Sequence, residues 1–115
     1  MKLILIIIAI SVTGCSSIPH WQKYGEAKRN FRYRKDVADE WISYDRIDQE
    51  FTGDCEDFAF TLQRQIGGKV MRVLYADSWH AVLITDGYVF DNAMKTPIAV
   101  SSYQGVIFNE MIYDR

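Results

Sequence analysis

Asp86-Gly87 is the feature that most constrains this chain, because it stands between two runs rich in Val, Leu, Ile and aromatic residues, Trp79 to Thr85 and Tyr88 to Phe90. An Asp-Gly pair in that setting is a strong hairpin signal, since both residues accept the positive φ of a tight two-residue turn. Such a turn sets the register: Thr85 pairs with Tyr88, Val82 with Asp91 and His80 with Ala93. His80, Val82 and Ile84 then share a sheet face with Val89 and Asp91, and His80 and Asp91 become diagonal neighbours roughly 7–8 Å apart at the backbone. The run from Lys69 to Ala76 predicts a preceding strand, and Val106-Ile107-Phe108, beyond a break at Pro97, predicts a last one.

Ahead of these strands, Phe58, Ala59, Leu62 and Ile66 form one helical stripe that follows Thr52-Gly53-Asp54 and stops at Gly67-Gly68. The spacing predicts a helix from about Asp54 to Ile66. Between Ala27 and Tyr44, Phe31, Val37, Ala38 and Trp41 recur loosely at helical spacing, which predicts one or two short amphipathic helices. A helix followed by antiparallel strands is an α+β domain.

The N-terminus carries one positive charge at Lys2, an apolar run from Leu3 to Ile10, then Ser11-Val12-Thr13-Gly14 leading into Cys15. That order reads as a secretory signal peptide over residues 1–14, and the run is about half of the ~20 residues a membrane-spanning helix needs. Cleavage before Cys15 removes 14 residues of 115 and leaves 101, enough for one domain with a single modest core. Residues 15–25 are polar with scattered aromatics and read as a tether, which assigns the folded domain to residues 26–115. The formal net charge is −2, and no basic stripe with interleaved aromatics advertises nucleic acid. Val12-Thr13-Gly14-Cys15 resembles the lipobox of bacterial lipoproteins. The resemblance implies a lipid, palmitate among its chains, on Cys15 and a membrane-anchored protein of the cell envelope. Ser16, where an aspartate would retain a lipoprotein at the inner membrane, implies the periplasmic face of the outer membrane.

Lipidation of Cys15 leaves Cys55 as the single thiol of an exported domain, with no disulfide partner in the chain. Cys55 falls at the first turn of its helix, where unpaired N–H groups and the dipole favour a thiolate. Asp54, Glu56 and Asp57 crowd the same sulfur and oppose that by like-charge repulsion. An imidazolium, a bound cation, or carboxylates turned to cap the helix would offset them. The hairpin register offers the first: an imidazole at His80 held by Asp91 through one ring nitrogen, with the other free for a thiol, is the logic of nucleophile, base and orienting acid. With His80 beside the sulfur, the thiol is expected to titrate below a free cysteine. A buried structural thiol and a satisfied core histidine are the alternatives that the residues leave open. His20 lies in the tether and has no such context.

Gly53-Asp54-Cys55-Glu56-Asp57-Phe58-Ala59, His80-Ala81-Val82-Leu83-Ile84 and Tyr88-Val89-Phe90-Asp91-Asn92, in that order, resemble the bacterial transglutaminase-like cysteine peptidases. Trp41, fourteen positions before Cys55, resembles the tryptophan that precedes the family's cysteine block. The likeness spans Trp41 to Asn92, about half the chain. It implies a papain-like, transglutaminase-like core with a nucleophile-bearing helix packed on a small antiparallel sheet. It also implies that Cys55 is the nucleophile, His80 the general base and acid, and Asp91 the orienting acid. Members that clip large surface adhesins bind calcium through acidic residues beside the cysteine, which here are Asp54 and Glu56; the chemistry itself requires no cofactor. The chain departs from the family in its short domain and in Ser43-Tyr44-Asp45, where a proline-containing element usually follows the tryptophan. The expectation is a lipid-anchored envelope thiol hydrolase, a cysteine peptidase acting on an envelope protein. A peptidoglycan amidase or peptidase is the alternative within the class. A non-catalytic envelope interaction lipoprotein that retains the fold is the alternative outside it.

Overall fold

The computed structural model describes residues 18–35 and 40–113. The expected signal peptide over residues 1–14, the expected lipidation site Cys15 and the first residues of the expected tether lie outside them. No described helix is long and apolar enough to cross a membrane.

The chain runs α1 (Ile18–Asn30), β1 (Phe31–Tyr33), β2 (Phe51–Gly53), α2 (Cys55–Ile66), β3 (Lys69–Tyr75), β4 (Ser78–Thr85), β5 (Tyr88–Phe90), β6 (Ile98–Ala99) and β7 (Val106–Met111). Strands β3 to β7 form one antiparallel sheet in the order β6-β5-β4-β3-β7, while β1 and β2 make a separate parallel pair. The α+β class expected from the sequence is therefore the architecture.

Helix α2 forms where the stripe predicts it. Asp54 is its N-cap and exchanges a capping box with Asp57, and the helix stops at Gly67, whose φ of 78° suits glycine. Its buried face, Phe58, Ala59 and Leu62, packs with Val70, Ala81, Leu83 and Phe90 of the sheet. At about 1.5–3 kcal/mol for each large apolar side chain taken from water, this layer is the main source of stability. The Asp86-Gly87 turn also behaves as expected. Both residues have positive φ, 52° and 79°, and Leu83, Ile84 and Thr85 pair with Phe90, Val89 and Tyr88. The pairing stops at Phe90, so Asp91 leaves the ladder and enters a turn closed by Met94 N–H donating to the Asp91 carbonyl at 3.0 Å.

Two expectations need correction. Residues 18–25 are not a tether: they are the first two turns of α1, which buries Tyr24 and Ala27 against Phe58 and Phe90. The amphipathic helix expected after Ala27 is also displaced, because α1 ends at Asn30 and Phe31 enters β1. Trp41 and Tyr44 lie in irregular chain strapped to α2, and Val37 and Ala38 fall outside the described residues. The straps are Ile42 N–H to Asp57 Oδ1 at 2.7 Å and Tyr44 N–H to Thr61 Oγ1 at 2.9 Å. They occupy the place where the proline-containing element was missed.

Candidate active site

Cys55 opens α2 because Gly53-Asp54 brings the chain in extended and the capping box turns it. Gly53 is needed for space: a Cβ there would stand 2.3 Å from Asp57 Oδ2. Asp57 is buried, and it accepts from the backbone N–H groups of Ile42 and Asp54 at 2.7 and 3.0 Å while donating its own N–H to Asp54 Oδ1 at 3.4 Å. Of the three remedies for the acidic crowd, capping is the one that Asp54 and Asp57 adopt. Burial still raises the Asp57 carboxyl to about 6. Sequence reasoning took Asp57 as a charge crowding the sulfur or a cap of the helix, and missed that it fastens the Trp41–Tyr44 segment to α2. An acidic residue three positions after an N-cap was the signal that could have found it.

The thiol is half-buried. Its Sγ donates toward Glu56 Oε2 at 3.4 Å, and it meets the backbone of Ala81, the residue after His80. Burial first and Glu56 second push it up to about 12, against a smaller lowering by the Ala81 backbone. The expectation of a depressed thiol is overturned. Removing the sulfur from water penalises the anion, and that penalty cannot be read from a linear sequence. Burial and the side chain of Asp54 likewise raise the neighbouring Glu56 carboxyl to about 7.

His80 and Asp91 meet as the hairpin register predicts. His80 Nε2 lies 2.5 Å from Asp91 Oδ1, which also accepts the Ala93 N–H at 2.9 Å, and Asp91 is 2% exposed. With Nε2 engaged, Nδ1 is the ring nitrogen left for other chemistry. Alternation along β4 has a consequence for reach. Ala81 and Leu83 face α2, whereas Val82 packs with Val73 and Val89 on the opposite face, and His80, paired with Val73, shares that side. The thiol thus approaches Ala81 from one face and the imidazole departs from the other. Because the β5 pairing ends at Phe90, no β5 residue pairs with Ala81 on that side, and the sheet is open there between its two faces.

The turn that carries Asp91 is clamped by α1, which sequence reasoning also missed. Tyr24 Oη donates to the Asp91 carbonyl at 2.7 Å and also reaches the Met94 carbonyl, and Lys28 Nζ donates to the Asn92 carbonyl at 2.8 Å. On the His80 face, Tyr103 stacks on Tyr75 with ring centroids 5.7 Å apart. Its buried hydroxyl has no hydrogen-bond partner among the described residues, and burial with the nearby Asp91 pushes it up to about 12. Trp41 packs on Phe60, centroids 5.2 Å apart. His20 does have a neighbour: its Nδ1 lies 2.8 Å from Asp86 Oδ2, at a distance but not an alignment for a hydrogen bond, far along the sheet from His80.

Asp54 and Glu56 make a poor calcium site. One carboxylate is committed to the helix cap and the other faces the thiol, whereas calcium takes six to eight oxygens. Among the described residues no group of three or more His, Cys, Asp or Glu is arranged to hold a metal. No protein-family model matches the chain, and no curated protein matches it either.

Proposed function

We propose that the protein is a lipid-anchored thiol hydrolase of the cell envelope, a cysteine peptidase with a papain-like, transglutaminase-like core. One observation carries the reading: a histidine locked by a buried carboxylate at 2.5 Å, one residue along the strand from the backbone that the nucleophile's sulfur touches. A histidine needed only for packing has no use for a dedicated buried carboxylate, because pairing the two costs desolvation.

In this reading the Cys55 Sγ–H bond breaks as sulfur attacks a substrate carbonyl, and the proton moves to His80 Nδ1. The thiol that titrates near 12 starts neutral, so proton removal accompanies attack and no thiolate–imidazolium pair is stored beforehand. Asp91 stabilises the imidazolium, which then protonates the leaving amine. Water, deprotonated by the same imidazole, hydrolyses the thioester and returns the thiol. The backbone N–H of Cys55, at the start of α2, is the donor best placed for the oxyanion. The test is turnover of envelope proteins by the full chain beside Cys55→Ala and Asp91→Asn. Release of new peptide N-termini only by the wild type supports a peptidase, and release of peptides from purified cell wall instead supports a peptidoglycan amidase. Equal inactivity of all three sinks the hydrolase reading.

One observation favours a second reading, a non-catalytic envelope module. A half-buried thiol beside an acidic pair, pushed up to about 12, is what a retired nucleophile would look like. Failure of native Cys55 to form a covalent adduct with any peptide aldehyde, while the denatured chain reacts with iodoacetamide, would favour it.

A further inference from the structure

Beside Cys55, on the face of the sheet that α2 covers only in part, three side chains from three strands converge. Arg72 of β3 pairs directly with Ala81, whose backbone the thiol meets, and Trp79 is two residues before Ala81 on the same face. The Arg72 guanidinium lies 3.8 Å from the centre of the Trp79 ring, and Phe108 of β7 meets that ring edge-on at 4.8 Å. Phe108 reaches this face because the β3–β7 register shifts between Arg72 and Val73: Arg72 opposes Asn109, Val73 opposes Ile107, and Phe108 is the extra residue. Bulges of this kind re-aim a side chain and are common next to active sites.

Nothing in the fold requires this group. Trp79 is 51% and Phe108 54% exposed, more than a core of this size would leave out for packing. The Arg72 guanidinium has no ion pair or hydrogen bond among the described residues, in a chain with 15 acidic residues and a net negative charge. Stacking on the indole holds the guanidinium flat and leaves its N–H edge for an anion, the geometry that suits a carboxylate. Exposed Val106, which pairs with Leu74 on the Trp79 face, continues the apolar surface past Phe108, so a chain can run on beyond the carboxylate.

We propose that Arg72, Trp79 and Phe108 form a subsite beside Cys55 for an internal acidic residue, flanked by an apolar side chain, in an extended polypeptide. The carboxylate would pair with Arg72 and the apolar neighbour would lie on the two rings, which sets the adjoining amide toward the sulfur. This names the substrate chemistry of the hydrolase reading and rests on it.

The experiment separates the two. Full-length Cys55→Ser, which cannot turn over, is titrated by fluorescence anisotropy with a labelled decapeptide holding a central Phe-Glu. Controls carry Phe-Gln at the centre, or Phe-Glu at a free C-terminus with Gln at the centre. The central Phe-Glu peptide should bind about tenfold or more tightly than Phe-Gln, the scale of one charge-assisted pair. Adding Arg72→Met, which keeps the stem over Trp79, should abolish that preference while circular dichroism stays unchanged. Adding Arg72→Glu should turn the preference toward a Phe-Lys peptide. Equal binding of Phe-Glu and Phe-Gln, no measurable binding, or tighter binding of the C-terminal form each overturns the subsite as stated. Cleavage of the same peptides by the wild-type protein is measured in parallel: cleavage without Glu preference removes only the subsite, and a binding preference with no cleavage removes only the hydrolase.

Discussion

Tyr24→Phe is the substitution that best tests how α1 governs the site. It keeps the ring that packs on Phe90 and Phe58, at centroid distances of 5.6 and 6.1 Å, and deletes one hydroxyl. That hydroxyl has a single proton, shared by the Asp91 and Met94 carbonyls, and Tyr24 is 2% exposed. No cavity worth naming opens, so the cost is the lost hydrogen bond plus the desolvation of a carbonyl left without a donor, about 2 kcal/mol. In a domain of this length that is roughly a 10 °C fall in Tm. Urea denaturation followed by tryptophan fluorescence measures it, with an unchanged m-value as the sign that the native fold is intact. The site should respond as well, because the Asp91 turn loses its main fastening. The nitrogen-15 shifts of His80 should move from one fixed tautomer toward a mixture. A loss of stability below about 0.5 kcal/mol, with His80 unmoved, would refute the idea that α1 is part of the site.

Gly53→Ala should destabilise the domain by about 3 kcal/mol or more, since the added Cβ falls 2.3 Å from Asp57 Oδ2 and the buried clamp cannot yield; urea midpoints check it. Glu56→Gln removes the charge that most opposes the thiolate, so Cys55 alkylation should become faster at pH 8–9; an unchanged pH–rate profile would place Glu56 away from the sulfur. Stability should fall as pH rises from about 4 to 7. Asp57 and Glu56 bind their protons more tightly folded, near 6 and 7, than unfolded, so ionisation through that window favours the unfolded chain; urea midpoints at pH 4.5 and 7.5 decide the sign. Cys15→Ser should move the protein out of the detergent-extracted membrane fraction, since stable anchoring needs more than one lipid chain; unchanged fractionation removes the lipoprotein assignment.

What was legible in the sequence was what short-range chemistry dictates. The α2 stripe and its cap need only their own residues. Asp86-Gly87 fixed a register by its turn geometry, and the register joined His80 to Asp91 although 11 positions separate them. The rest depends on what the chain folds against. Helix α1 was missed because it buries only Tyr24 and Ala27 deeply, too few apolar positions to show a period, and draws its stability from the pocket between α2 and β5. The parallel β1–β2 pair was invisible because each strand has three residues and their pairing spans the long Arg34–Glu50 excursion. Ala76-Asp77 gave no turn signal, yet both adopt positive φ, 51° and 63°, to close the β3–β4 hairpin, a conformation that an alanine tolerates only because the seven residue pairs between the two strands impose it. The thiol was misjudged for the same reason: local charges can be counted along a chain, but the water removed by Ala81 and its neighbours cannot.

In the lipid-anchored hydrolase proposed above, the position of α1 would set the working range. If Cys15 carries the lipid, three peptide links separate the anchor from the start of the helix at Ile18, about 10 Å of chain even when fully drawn out. Since α1 is packed into the core and bonded to the Asp91 turn, it cannot peel away to lengthen that leash without dismantling the histidine's support. The domain would therefore ride close against the bilayer, sweeping a thin layer at its surface. Its substrates would be chains threaded through or lying along the membrane, while proteins diffusing deeper in the periplasm would pass beyond its grasp.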